Sequence, residues 1–225
     1  MSVIDPDIFK FLKDLSKNNN REWFNARKER YKFLHVSLSE FSQSLNDRIG
    51  KFDNIDNSKI FRIYRDVRFS KNKTPYKTNF GISFHRKKPY LRGGYYIHLK
   101  PTESFIACGF WNPNKDDLYR IRKEFQIDSS EFRKIIRNQS FENEWGSLKG
   151  NELKTAPMGF SKDDPNIDLI KKKMYLFSIQ FTDNEVLRKN FSDKIIKSFK
   201  AISPFFDYMS NVLTTDLNGE SILKQ

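Results

Sequence analysis

Arg62, Arg65 and Arg68 recur every three residues in the stretch RIYRDVRFSKNKTPYKTNF, and Lys71, Lys73 and Lys77 follow within it. A guanidinium group presents a planar fork of donors that matches carboxylate and phosphate oxygens two at a time, while an ammonium adds point charge. Spacing by three keeps no strict strand parity, so a bend near Arg65-Asp66 is expected, turning several cationic heads toward one centre. Asp66 is the lone carboxylate among seven nearby cations, counting Lys59. It is expected to be ionised and to hold an arginine fork in place, and the same cations weaken it as a general base. Ser70, Thr74, Tyr76 and Thr78 add hydroxyls, and Pro75 fixes one backbone angle in a turn between strands. The anion-binding candidates are therefore Arg62, Arg65, Arg68, Lys71, Lys73 and Lys77, supported by Arg21, Tyr64, Ser70, Tyr76 and His85. These residue types suit a phosphate- or carboxylate-bearing small ligand. They suit an internal salt-bridge network as well.

Proton chemistry has three candidates: His98, Tyr96 and Asp66. On a strand over Gly94 to Lys100, Tyr96, His98 and Lys100 share one face, and the same parity on neighbouring strands gathers Arg62, Tyr64, Ser83 and His85 there. That leaves an enzyme of unknown reaction on an anionic substrate as one alternative. A nucleic-acid-binding module is another, because Tyr64, Phe69, Tyr76, Tyr90, Tyr95 and Tyr96 place rings near the cations. No GxxxxGK[ST] loop, strand-borne GxGxxG, zinc-finger spacing or helix-turn-helix signal accompanies them. Two histidines without an acidic cluster make a poor metal centre, so neither metal nor cofactor is expected. Cys108, in the apolar run FIACGFW, reads as a buried, inert thiol.

The cations are concentrated. Of 225 residues with a formal charge of +13, the segment Lys59 to Lys100 carries twelve basic residues against one acidic, a local +11, while the rest holds 29 basic against 27 acidic. Such a block attracts an anionic partner to one region. With 37% hydrophobic and 15% aromatic residues the chain must fold around a core, and one cysteine forms no intrachain disulfide, which fits a reducing cytoplasm. No apolar run approaches the roughly 20 residues of a membrane span, and Asp5 and Asp7 stand where a signal peptide carries positive charge. A cytoplasmic protein without membrane contact is expected; the oligomeric state is left open.

The elements that must position these residues read as helices, then strands, then helices. Asp5-Pro6-Asp7 opens a first helix with Ile8, Phe11, Leu12 and Leu15 at helical spacing. Asn20 caps a second that runs unbroken from Glu22 to Ile49, about 42 Å long at 1.5 Å per residue. After a turn region at Asp53 to Ser58, period-two segments at Ile60 to Tyr64, Phe80 to His85, Gly94 to Lys100 and Phe105 to Trp111 form an antiparallel meander. Its apolar face takes Phe61 and Ile63, then Phe80, Ile82 and Phe84, then Tyr95, Ile97 and Leu99. Asn112 to Asn114 cap a helix running to about Phe125, Ser129 or Ser130 starts another, and a weakly periodic stretch from Gln139 to Asp164 suits either a lid or a packed connection. A last strand at Lys173 to Phe181 precedes helices at Asp183 to Lys200 and Pro204 to Leu213, and Thr214 to Gln225 has no fixed element. The fold class is α+β: a mainly antiparallel sheet of about five strands, flanked by N-terminal and C-terminal helices including one long helix, in a single domain over residues 1–225 with its core at about 5–213.

FLKDLSKNNNREWFNARKERY, FRIYRDVRFSKNKTPYKTNFG, GGYYIHLKP, GFWNPNKDDLYRIR and LKGNELKTAPMGF, in that order, closely resemble the family catalogued as domain of unknown function 2461. The resemblance covers about Ile8 to Tyr208 and implies one α+β unit. It brings no substrate or catalytic residue set. The family's arginine-rich block falls on Arg62, Arg65, Asp66, Arg68, Phe69, Ser70, Lys71, Lys73, Pro75, Tyr76, Lys77 and Asn79, and its Asn-Arg-Glu-Trp-Phe block on Asn20 to Phe24.

Overall fold

The computed structural model describes residues 3–223, with ten helices and five strands among them. Their order is α1 (Pro6–Lys17), α2 (Arg21–Asn25), α3 (Lys28–Ile49), β1 (Ile55–Ile60), β2 (Phe80–Arg86), β3 (Gly94–Leu99), β4 (Ser104–Phe110), α4 (Lys115–Ile127), α5 (Ser130–Ile136), α6 (Gln139–Trp145), α7 (Ile167–Ile170), β5 (Tyr175–Phe181), α8 (Asp183–Val186), α9 (Phe191–Ala201) and α10 (Ser203–Thr214). The strands form one antiparallel sheet in the order β1-β2-β3-β4-β5, so the chain is α+β. No described helix is long and apolar enough to cross a membrane. The backbone falls into two compact units: residues 3–84, 96–106 and 179–197, and His85–Tyr95, Ala107–Ser178 and residues 198–223.

In the first unit the helix starts follow the capping residues. The Asp5 carboxylate accepts from the Asp7 amide at 2.8 Å, and the Asn20 side chain from the Trp23 amide at 2.8 Å, each satisfying a donor the first turn leaves open. The unbroken helix expected from Glu22 to Ile49 is instead α2 and α3, separated at Ala26-Arg27. Asn25 to Glu29 are all exposed, so nothing apolar fastens that turn, and the break lets Phe24 face a ring cluster. Phe24 packs on Phe11 at 6.3 Å, Tyr31 at 5.2 Å and Tyr76 at 4.0 Å, the last in parallel stacking. The helix expected over Asp183 to Lys200 is likewise two: α8, opened by a reciprocal Thr182–Glu185 capping box, and α9, with Leu187 to Asn190 between them.

The first strand also departs from expectation. β1 occupies Ile55–Ile60, where the sequence reads as a turn, because this polar edge strand has almost no buried side chain to alternate. The chain leaves the ladder at Phe61. From there to Arg65 it runs against Pro75 to Gly81, with Phe61 N–H donating to Gly81 O at 2.8 Å, Lys77 N–H to Ile63 O at 2.7 Å and Arg65 N–H to Pro75 O at 2.9 Å. The irregular pairing splits the expected apolar face. Ile63 is buried, whereas Phe61 packs edge-on to Tyr96, centroids 6.1 Å apart.

In the second unit, Asn114 caps α4 by accepting from the Asp117 amide at 2.8 Å, and Phe125, Phe132, Phe177, Phe205 and Tyr208 form a buried ring cluster. The stretch read as lid or connection contains α6 and then a packed connection: Lys149 and Leu176 exchange backbone bonds of 2.7 and 3.1 Å, and Lys173 N–H donates to Asn151 O at 2.7 Å. Two cations of the basic block are structural here. Arg86, 4% exposed, donates to Arg92 O at 3.1 Å, Phe206 O at 3.4 Å and Ser210 Oγ at 3.1 Å, and Arg92 pairs with Asp117. The C-terminal residues close a small turn bridged at Thr215 and Ser221 and held by Arg120, whose guanidinium donates to Thr215 O and Asp216 O at 3.0 Å each. Of the tail read as unstructured, Lys224 and Gln225 lie outside the described residues, as do Met1 and Ser2. Cys108 is buried.

Candidate anion-binding site

All the residues that meet at the site belong to the first unit. The segment from Phe61 to Asn79 is a long loop pinned at several points. Asn19 clamps it from the end of α1: its amide donates to Tyr76 O at 3.0 Å and its carbonyl accepts from Tyr76 N–H at 3.1 Å. Asn72 closes the far turn by accepting from the Thr74 amide at 2.9 Å and the Thr74 hydroxyl at 2.8 Å.

The loop divides its cations into two sets. Arg65 is turned inward, donating to Thr74 O at 3.1 Å, to the Thr74 hydroxyl and to Ser70 Oγ at 3.3 Å. Arg68 pairs with Asp66 at 2.7 Å, and this contact draws the Asp66 carboxyl below its ordinary range. The Lys73 ammonium donates to Val67 O at 3.0 Å and Arg68 O at 3.4 Å. These three heads tie the loop together.

Lys59, Arg62 and Lys77 form the second set. The ammonium groups of Lys59 and Lys77 lie 5.7 and 5.6 Å from the centre of the Phe61 ring. Lys77 is held below the ordinary lysine range, first by partial burial and then by the like charges of Arg62 and Lys59. Among the described residues no carboxylate forms an ion pair with any of the three; Arg62 is close enough to Asp66 only to help lower its carboxyl.

Beside Phe61 stands a proton-bearing trio on the same sheet face. The Tyr96 hydroxyl is 3.1 Å from His98 Nδ1, and the Asn79 amide nitrogen is 3.5 Å from the same atom. His98 stacks on Phe105, centroids 4.7 Å apart and planes 13° apart. Burial raises the Tyr96 hydroxyl above the ordinary phenol range. Burial, then Lys100, lowers the imidazole of His98, opposed by Glu103. His98 also lines a half-open groove of 530 Å³ with Thr102, Glu103, Phe105, Gln180 and Glu185.

Of the remaining candidates, Lys71 is exposed on the loop, and Tyr64 lies 5.4 Å from the Tyr76 ring. Arg21, also exposed, is near enough to Tyr76 to oppose the rise that burial imposes on its hydroxyl. His85 is exposed and belongs to the second unit. The residues that the sequence does not single out as site candidates are Lys59, Phe61, Asn79 and Gln180. Lys59 carried a usable signal, because it extends the every-third-residue series Arg62, Arg65, Arg68 by one step back.

The sequence profile of the family described as "Conserved hypothetical protein (DUF2461)" matches residues 7–208. No curated protein matches the chain significantly.

Proposed function

The chain belongs to the DUF2461 family, and from the site we propose that it binds a small phosphate- or carboxylate-bearing ligand at Lys59, Arg62 and Lys77. One observation carries this reading: the ammonium groups of Lys59 and Lys77 flank Phe61, no acid among the described residues is ion-paired with them or with Arg62, and burial, then the charges of Arg62 and Lys59, depresses Lys77. Like charges held together in a partly desolvated place oppose folding, and an oxyanion between them converts repulsion into attraction. Arg65, Arg68 and Lys73 need no such guest, because their heads are engaged by the loop itself.

Tyr96 and His98 extend this reading to an enzyme acting on the bound anion, with a phenol and an imidazole available for proton transfer beside it. Nucleic acid is the weaker reading. Tyr76 and Tyr95 are buried and Tyr96 is half-buried, so of the six rings only Tyr64, Phe69 and Tyr90 are exposed enough to stack on a base.

Calorimetric titration with inorganic phosphate tests the proposal. Lys77→Met and Arg62→Met should each weaken binding by about tenfold or more, while Lys71→Met leaves it unchanged. Equal affinity in all four proteins would overturn it.

A further inference from the structure

The groove next to His98 has no part in holding the anion, yet its composition is specific. Resting on the anion-binding reading, we infer that it receives a neutral, hydroxyl-bearing body attached to that anion, so that the ligand class is a phosphorylated sugar or polyol. The volume, 530 Å³, suits a small molecule.

Three features select that chemistry. Gln180 on β5 is exposed, and its amide, which can both donate and accept, has no hydrogen-bond partner among the described residues. The Asn79 amide nitrogen, which can only donate, and the Tyr96 hydroxyl both face Nδ1 of His98, and the tautomer that suits them has the proton on Nε2, a donor for a ligand hydroxyl. Phe105 supplies an apolar ring face among these polar groups, as the alternating C–H and O–H faces of a sugar require.

Charge then sets the direction. Among the described residues no lysine or arginine lines the groove, so an anionic group finds no counter-charge there and is favoured at the Phe61 end. Both groove carboxylates are already matched, Glu103 by Lys100 at 2.6 Å and Glu185 by Lys194 at 3.3 Å, so the groove calls for a hydroxyl-bearing guest and not for a cation. Phe61 and Tyr96 are 6.1 Å apart by ring centroid, and Tyr96 and His98 another 6.1 Å, so a ligand touching both ends lies extended across Tyr96.

Calorimetry with inorganic phosphate, glycerol 3-phosphate, ribose 5-phosphate and glucose 6-phosphate separates the two claims. At least one of the three organic phosphates should bind about tenfold or more tightly than inorganic phosphate. Gln180→Ala should erase that preference while leaving inorganic phosphate affinity in place, and Lys77→Met should weaken all four. Phosphate binding without any preference, or a preference that survives Gln180→Ala, overturns the sugar-phosphate assignment alone. No binding of any of the four overturns the anion site and this inference with it.

Discussion

The Tyr96 hydroxyl occupies the space next to Gly81 that a side chain there would need: a β-carbon at position 81 would stand 2.6 Å from the hydroxyl oxygen and 3.2 Å from the Phe61 ring. Gly81→Ala should therefore push Tyr96 off His98 and destabilise the protein by about 1–3 kcal/mol. Urea denaturation measures the loss, and adding Tyr96→Phe should restore part of it by removing the oxygen.

Anion binding should weaken at a lower pH than an ordinary lysine predicts. Lys77 in the folded protein sits below its usual 10.5, so its charge is lost earlier as pH rises. A bound anion favours the charged form, so binding takes up a proton in the window between the lowered and the anion-bound values. Phosphate titrations in buffers of different ionisation enthalpy measure that uptake, and Lys77→Met should abolish it.

Arg65→Met should act on the loop before it acts on the ligand. Its guanidinium bonds to Thr74 and Ser70 close the segment from inside, and losing them should cost about 1–3 kcal/mol and speed proteolysis between Asp66 and Thr74. Phosphate affinity should fall less than it does for Lys77→Met.

Asn19→Leu should be nearly as damaging. It removes both side-chain bonds to the Tyr76 backbone and leaves a part-buried N–H and C=O without them, a loss of about 1–3 kcal/mol by denaturant titration. Asn19→Asp keeps the acceptor and should recover part of it.

His98 should make stability fall on the acid side. Its pKa in the folded protein lies below 6.5, so the unfolded chain takes up a proton that the folded one refuses. The contribution is fully present above 6.5 and drains away as pH falls toward the lowered folded value. The groups facing it are Tyr96, Asn79, Lys100 and Glu103. His98→Phe should flatten that part of the stability profile.

Much of this architecture is written in residue types that act locally. Asp5, Asn20 and Asn114 mark helix starts because their side chains complete the first turn by themselves. The buried alternation of Tyr95, Ile97 and Leu99 marks β3 equally well. The break at Ala26-Arg27 is less legible because its cause is distant: Phe24 is drawn to Tyr76, 52 positions later. β1 was hidden by its polarity. Within the basic loop, residue type identified the cations but not their partners, since Arg65 and Lys73 end on backbone carbonyls of Thr74, Val67 and Arg68 whose positions no side-chain pattern encodes. Alternation puts Phe61 on the buried face with Ile63, and the chain's departure from β1 sets it beside Tyr96 instead.

The two end strands of the sheet differ in how they resist stray association. The start of β5 already exchanges backbone bonds with Lys149, so an intruding chain would have to displace a resident partner. Among the described residues no sixth strand covers β1, but it displays Asp56 and Lys59 at its rim, and an incoming strand would have to strip both of water. Lys59 thereby bears on colloidal good behaviour as well as on the proposed recognition, and replacing it with an apolar residue should expose the molecule to self-adhesion along that border.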